Sequence, residues 1–90
     1  MSRYNSLGTL AAEFEKHPGE IATITLDQIT AGAMIRRRVR AAFDQARLRG
    51  ADVQVSEQRG WLDSVFTARL RGTGAQLLPT IRTLTALEDL

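Results

Sequence analysis

Arginine supplies most of the chemistry this chain offers. Eleven of its twelve basic residues are arginine, and Arg36, Arg37, Arg38, Arg40, Arg47 and Arg49 crowd into TAGAMIRRRVRAAFDQARLR, residues 30–49. A guanidinium is a planar fork of donors that matches a carboxylate or a phosphate. On a helix Arg36, Arg40 and Arg47 fall along one stripe that could meet successive phosphates of a nucleic acid, with Arg37 beside them. The same stripe also reads as a solvated face, with Asp44 paired to Arg40 or Arg37. A short basic run and a net charge of only +2 favour that plainer reading. Arg38 borders the apolar side, where its stem can lie across the core.

Other reactive side chains are sparse. His17 is the single histidine and sits beside Pro18 at a helix end, a place for a cap or a surface contact. The chain has no cysteine, which excludes disulfides, thiolate metal sites and cysteine nucleophiles. No HExxH, paired histidine or DxDxDG pattern occurs, so neither a metal site nor a cofactor is expected. The serines lack a base, Glu13–Glu15 and Glu88–Asp89 lack a facing partner, and no catalytic set is expected. RGTGAQL around Gly72 and Gly74 fails both phosphate-loop patterns. A turn before a helix explains its glycines, although amides 73–76 at a helix start could hold an anion.

The elements that would position these groups follow from periodicity. In residues 30–49, Ile35, Val39, Ala42, Phe43 and Ala46 share one helical face and the arginines share the other. Asp27 or Thr30 can cap this helix, Gly32 weakens its first turn and Gly50 ends it. A short helix from about Gly8 or Thr9 to Lys16 precedes it, with Leu10 and Phe14 as its apolar contact and Leu7 as a staple. Met1 to Ser6 reads as loose, and Pro18–Gly19 as a stop. EIATITL, residues 20–26, alternates as a strand with Ala22, Ile24 and Leu26 inward and Thr23 and Thr25 outward. Ala51 to Gln58 is a second strand and Trp61 to Arg71 a third, joined as a hairpin by Gln58, Arg59 and Gly60. After a turn at Gly72–Gly74, a last helix runs to about Leu87 through Leu77, Ile81 and Leu84. Pro79 requires that this helix start near Leu78, or start near Gly74 and bend.

Ninety residues at 43% hydrophobic and 24% charged make one folded domain rather than a disordered chain. The division is an N-terminal arm and short helix over 1–19 and a single α+β domain over 20–90. A domain this small hides roughly 60–65% of its extended-chain surface, so pairing with another chain is a natural remedy. Charge is uneven: two basic residues against four acids in 1–29, and ten against six in 30–90. No apolar run approaches the roughly 18 residues that span a bilayer. The opening residues lack a basic leader and an apolar core, so neither a signal peptide nor membrane insertion is expected, and the location expected is cytoplasmic.

The α-β-α-β-β-α order predicts a three-stranded antiparallel or mixed sheet with strand three central and helices on one face. It resembles a ferredoxin-like β-α-β-β-α-β unit without its last strand, which leaves a sheet edge open to a partner. The outward positions Thr23, Thr25, Gln54, Thr67, Arg69 and Arg71 make a polar, mildly basic face without the aromatics of RNA-recognition sheets. A KH clamp would need a GxxG loop, and Gly32 has no second glycine in place. Trp61 is the one stacking or anchoring aromatic there.

The leading functional expectation is a non-catalytic interaction or regulatory module, working as a homo-oligomer or docked on a larger assembly. Leu10, Phe14, Trp61, Thr23, Thr67 and Arg69 are its candidate contacts. These sheet positions resemble, at the level of fold, those that ligand-sensing domains of the ACT type use. The alternative is nucleic-acid or anion binding through Arg36, Arg37, Arg40 and Arg47.

Overall fold

The structure, a computed structural model, describes residues 3–88 and the side chains of residues 7–87. In chain order it has α1 (Arg3–Lys16), β1 (Ile21–Gly32), α2 (Arg36–Leu48), β2 (Asp52–Arg59), β3 (Asp63–Thr73) and α3 (Gly74–Glu88). The sheet runs β1-β3-β2, and both pairings are antiparallel. This is the expected α+β fold, a ferredoxin-like unit lacking its last strand, with the longer hairpin strand in the middle.

Period-two alternation fixes the side of the sheet that is covered. On β3, Ser64, Phe66, Ala68 and Leu70 are buried while Asp63, Thr67, Arg69 and Arg71 are exposed. Ile24 and Leu26 of β1 and Val53 of β2 join them on the helix side. From α2 come Val39, Ala42, Phe43 and Ala46, and from α3 Leu77, Ile81, Leu84 and Leu87. Phe43 and Phe66 meet at the centre, with ring centroids 6.3 Å apart and a tilt of 47°. Burying each such ring stabilises by about 1.5–3 kcal/mol. The helices cross closely because Ala42 and Thr80 face each other, and the Thr80 hydroxyl donates to the Ala42 carbonyl at 3.1 Å.

The start of the central helix differs from the expectation. Thr30, Ala31 and Gly32 belong to β1, where they pair with Val65, Ser64 and Asp63. A β-bulge between Leu26 and Ile29 inserts one extra residue, with Gln28 at φ 55. The insertion restores parity, so Ile29 and Ala31 turn inward as Ile24 and Leu26 do. Neither Asp27 nor Thr30 caps α2. Its N-cap is Ile35, which makes no side-chain cap bond.

Three smaller boundaries shift as well. α1 begins at Arg3, so Arg3–Ser6 is helical rather than loose; Met1 and Ser2 lie outside the described residues. Trp61 and Leu62 form the hairpin bend, and β3 begins at Asp63. No turn separates β3 from α3: Gly72 and Thr73 are strand, and Pro79 lies inside a helix that starts at Gly74. Pro79 has no N–H for the Ala75 carbonyl one turn back.

The β3–α3 junction is held from both sides. Thr73 and Gln76 form a reciprocal cap, with the Thr73 amide donating to Gln76 Oε1 at 2.8 Å and the Gln76 amide to Thr73 Oγ1 at 3.2 Å. The Gly74 amide donates to the Glu20 carbonyl and the Ala75 amide to the Pro18 carbonyl, both at 3.0 Å. Gly74 is required there, because a Cβ would stand 2.7 Å from the His17 carbonyl oxygen. All four amides of 73–76 are therefore engaged, which removes the anion site suggested at this helix start.

Candidate interaction surface

The arginines of α2 are turned to an internal task. Glu57 shares the parity of Val53 and Val55, so its carboxylate points to the helix side of β2, and its side chain is only 7% exposed. Arg36 meets it in a two-pronged contact, with Nε on Oε2 and NH2 donating to Oε1 at 3.0 Å. Arg40 NH1 donates to the same Oε1 at 2.7 Å. The Arg36 hydrogen bonds hold the Glu57 carboxyl below the usual glutamate range; partial burial opposes them, and a bond from Ser64 and the charge of both arginines add to them. This carboxylate also neutralises Arg36 in the first turn of α2, where the helix dipole disfavours positive charge.

In its last turn, α2 engages β2 again. Arg47 donates from Nε and NH2 to the Val53 carbonyl at 3.3 and 3.1 Å, and from NH1 to Asp44 at 3.2 Å. Three guanidiniums of the candidate phosphate stripe, Arg36, Arg40 and Arg47, thus already have protein acceptors. Arg37 is exposed on the same helix. The partner expected for Arg40 or Arg37 was Asp44; the structure gives Arg40 to Glu57 and Asp44 to Arg47. The signal for Glu57 lay in the alternation of β2, where an acid occupies an inward position after two valines.

Among the described residues, no helix covers the opposite face of the sheet. Its cross-strand rows are Asp52–Arg71–Thr23, Gln54–Arg69–Thr25 and, beside the bulge, Ser56–Thr67. Thr23, Thr67 and Arg69 are exposed there, as the alternation predicts. Trp61 is 97% exposed at the hairpin bend, with Leu62 at 79% and Met34 at 91% in the turn after β1. Leu10 and Phe14 have a different placement. Phe14 is buried in the core and Leu10 is half-buried against it, so α1 docks on its own domain. Arg82 of α3 and Glu15 of α1 reinforce that docking.

The two outer strands differ in what touches them. β2 has Arg47 on a main-chain carbonyl and Arg36 and Arg40 on Glu57. Along β1, among the described residues, the main chain of Ile21–Leu26 pairs with β3 and makes no backbone hydrogen bond to any other element. That segment contains no charge and no proline, and Ile21 is 67% exposed. Among the described residues there is no cluster of metal-ligating side chains, and no helix is long and apolar enough to cross a membrane. No family model matches the chain, and neither a curated protein nor a solved structure matches it.

Proposed function

We propose that this chain is a non-catalytic protein-interaction module that assembles with itself by adding a strand to the open edge of β1. One observation carries this reading: Ile21–Leu26 of β1 presents an uncharged main-chain edge while the other outer strand is held by arginine side chains. An exposed edge of this kind templates pairing, and proteins that avoid it blunt the edge with charge, proline or a covering element. Only the bulge at 27–28 does so here, and it protects the second half of the strand alone. The polar sheet face, with Thr23, Thr67 and Arg69, would extend across the joined sheets as a surface for further partners.

Sedimentation across a concentration series, read together with amide hydrogen exchange, tests this. Association should rise with concentration, and the outward amides of Ile21–Leu26 should slow in step with it. A strict monomer at high micromolar concentration, with those amides exchanging freely throughout, would remove the proposal. Binding to nucleic acid has less support, because Arg36, Arg40 and Arg47 would have to leave their protein acceptors to meet phosphates.

A further inference from the structure

We infer that two copies join antiparallel through β1 about a twofold axis at Ile24, forming one continuous six-stranded sheet from two three-stranded halves. This rests on the strand-addition reading above and fixes its register. A twofold interface must be complementary to itself. The segment Ala22-Thr23-Ile24-Thr25-Leu26 meets that condition, because it runs apolar, threonine, isoleucine, threonine, apolar in either direction.

Register follows from three limits. Directly opposed residues of an antiparallel pair share a face, so inward residues must oppose inward ones. The bulge ends regular pairing at Leu26, and the strand begins at Ile21. Within those bounds, centring on Thr23 leaves the inward Leu26 outside the joint, and centring on Thr25 shortens the pairing to Ile24–Leu26. Centring on Ile24 sets Ile24 against its own copy and Ala22 against Leu26 twice, which places all three inward apolar positions in the joint. On the open face it sets Thr23 against Thr25 twice, a cross-strand pair favoured by hydroxyl hydrogen bonding. No acid opposes another acid, since Glu20 and Asp27 lie outside the paired core.

The chain's lack of cysteine makes the register directly readable. Chains carrying Thr23→Cys are mixed with chains carrying Thr25→Cys and oxidised. Opposed positions have Cβ atoms about 4.5–5.5 Å apart and diagonal ones about 7–8 Å, and only the former suit a disulfide. The expected product is the mixed T23C–T25C disulfide, in excess over both like–like products. A T23E/T25E chain supplies the second arm. Each glutamate faces Arg71 or Arg69 in its own sheet, so the chain stays folded by circular dichroism. Each also faces a glutamate of the other copy, so dimer affinity falls roughly tenfold. Like–like disulfides in excess overturn this register while leaving strand addition standing; undiminished dimerisation of T23E/T25E overturns both, because each register weighed above sets an introduced glutamate against one of the other copy. Absence of any association overturns both.

Discussion

β2 and β1 are both outermost strands of one sheet, paired to the same central strand, yet their surroundings differ. α2 reaches β2 with three guanidiniums: two neutralise Glu57 and one occupies the Val53 carbonyl. Among the described residues, β1 has no such attendants over Ile21–Leu26, and a bulge follows that segment. The difference lies in charge placement rather than in strand quality, since β1 is the longer strand and buries Ile24, Leu26 and Ala31. An arginine-rich helix is thus more than a solvated face or a nucleic-acid stripe. Here its arginines engage one outer strand and leave Ile21–Leu26 of the other untouched, which is the contrast the proposed assembly rests on.

The largest effect is expected at the corner where β1, α1 and α3 meet. Gly74→Ala places a methyl against the His17 carbonyl and the Phe14 backbone, groups that cannot rotate away. A loss of about 1–3 kcal/mol in urea unfolding is expected. If the corner supports the β1 side specifically, amides of β1 should lose more exchange protection than those of β2; equal losses on both edges would show that the corner does not distinguish them.

The β2 side has a pH signature instead. The folded Glu57 carboxyl lies below its ordinary value of 4.5, so its contribution to stability is complete above that value and is lost as pH falls through the lowered one. Wild-type protein should lose stability over that acid window, and Glu57→Gln should flatten this part of the profile while being less stable at neutral pH. A Glu57→Gln chain with an unchanged acid slope would mean that the Arg36–Glu57–Arg40 knot is not coupled to folding.

Arg47→Ala is a subtler probe, because it costs little packing but uncovers the Val53 carbonyl. Self-association or aggregation should increase, with new protection appearing on β2. Unchanged sedimentation would show that Arg47 does not guard this edge. The smallest effect belongs to Trp61→Ser: a side chain 97% exposed should change stability by no more than about 0.5 kcal/mol. A clear shift in the dimerisation constant for that variant would place the hairpin bend, rather than the β1 edge, at the joint.

Much of the architecture is legible in the sequence. Strand alternation marks Ile24 and Leu26 as inward and Gln54, Thr67, Arg69 and Arg71 as outward, which turns Val53, Phe66, Ala68 and Leu70 to the covered side, and helical spacing marks Val39, Phe43, Ile81 and Leu84 as inward. The Thr73–Gln76 cap was also legible, as a threonine three residues before a glutamine at a helix start, but the glycines around it suggested a turn instead. The extension of β1 was harder to see. Gln28 takes a left-handed conformation that its residue type does not advertise, and without that bulge Ile29 and Ala31 are out of phase with Ile24 and Leu26. The candidate surface was legible for Thr23, Thr67, Arg69 and Trp61, whose outward positions follow from parity or from the bend. It misplaced Phe14, because an amphipathic helix shows which side is apolar without showing what covers it.

What the sequence determined by itself was therefore the inward and outward sets, since these depend on repeats of two and 3.6 residues that neighbouring positions carry. Tertiary structure decided the rest: where β1 gives way to α2, which acid receives Arg36 and Arg40, and which edge is left bare. Each of those depends on a partner distant in the chain. Gly32 is a strand residue because Asp63 pairs with it, and Arg36 is an internal ligand because β2 brings Glu57 beneath it.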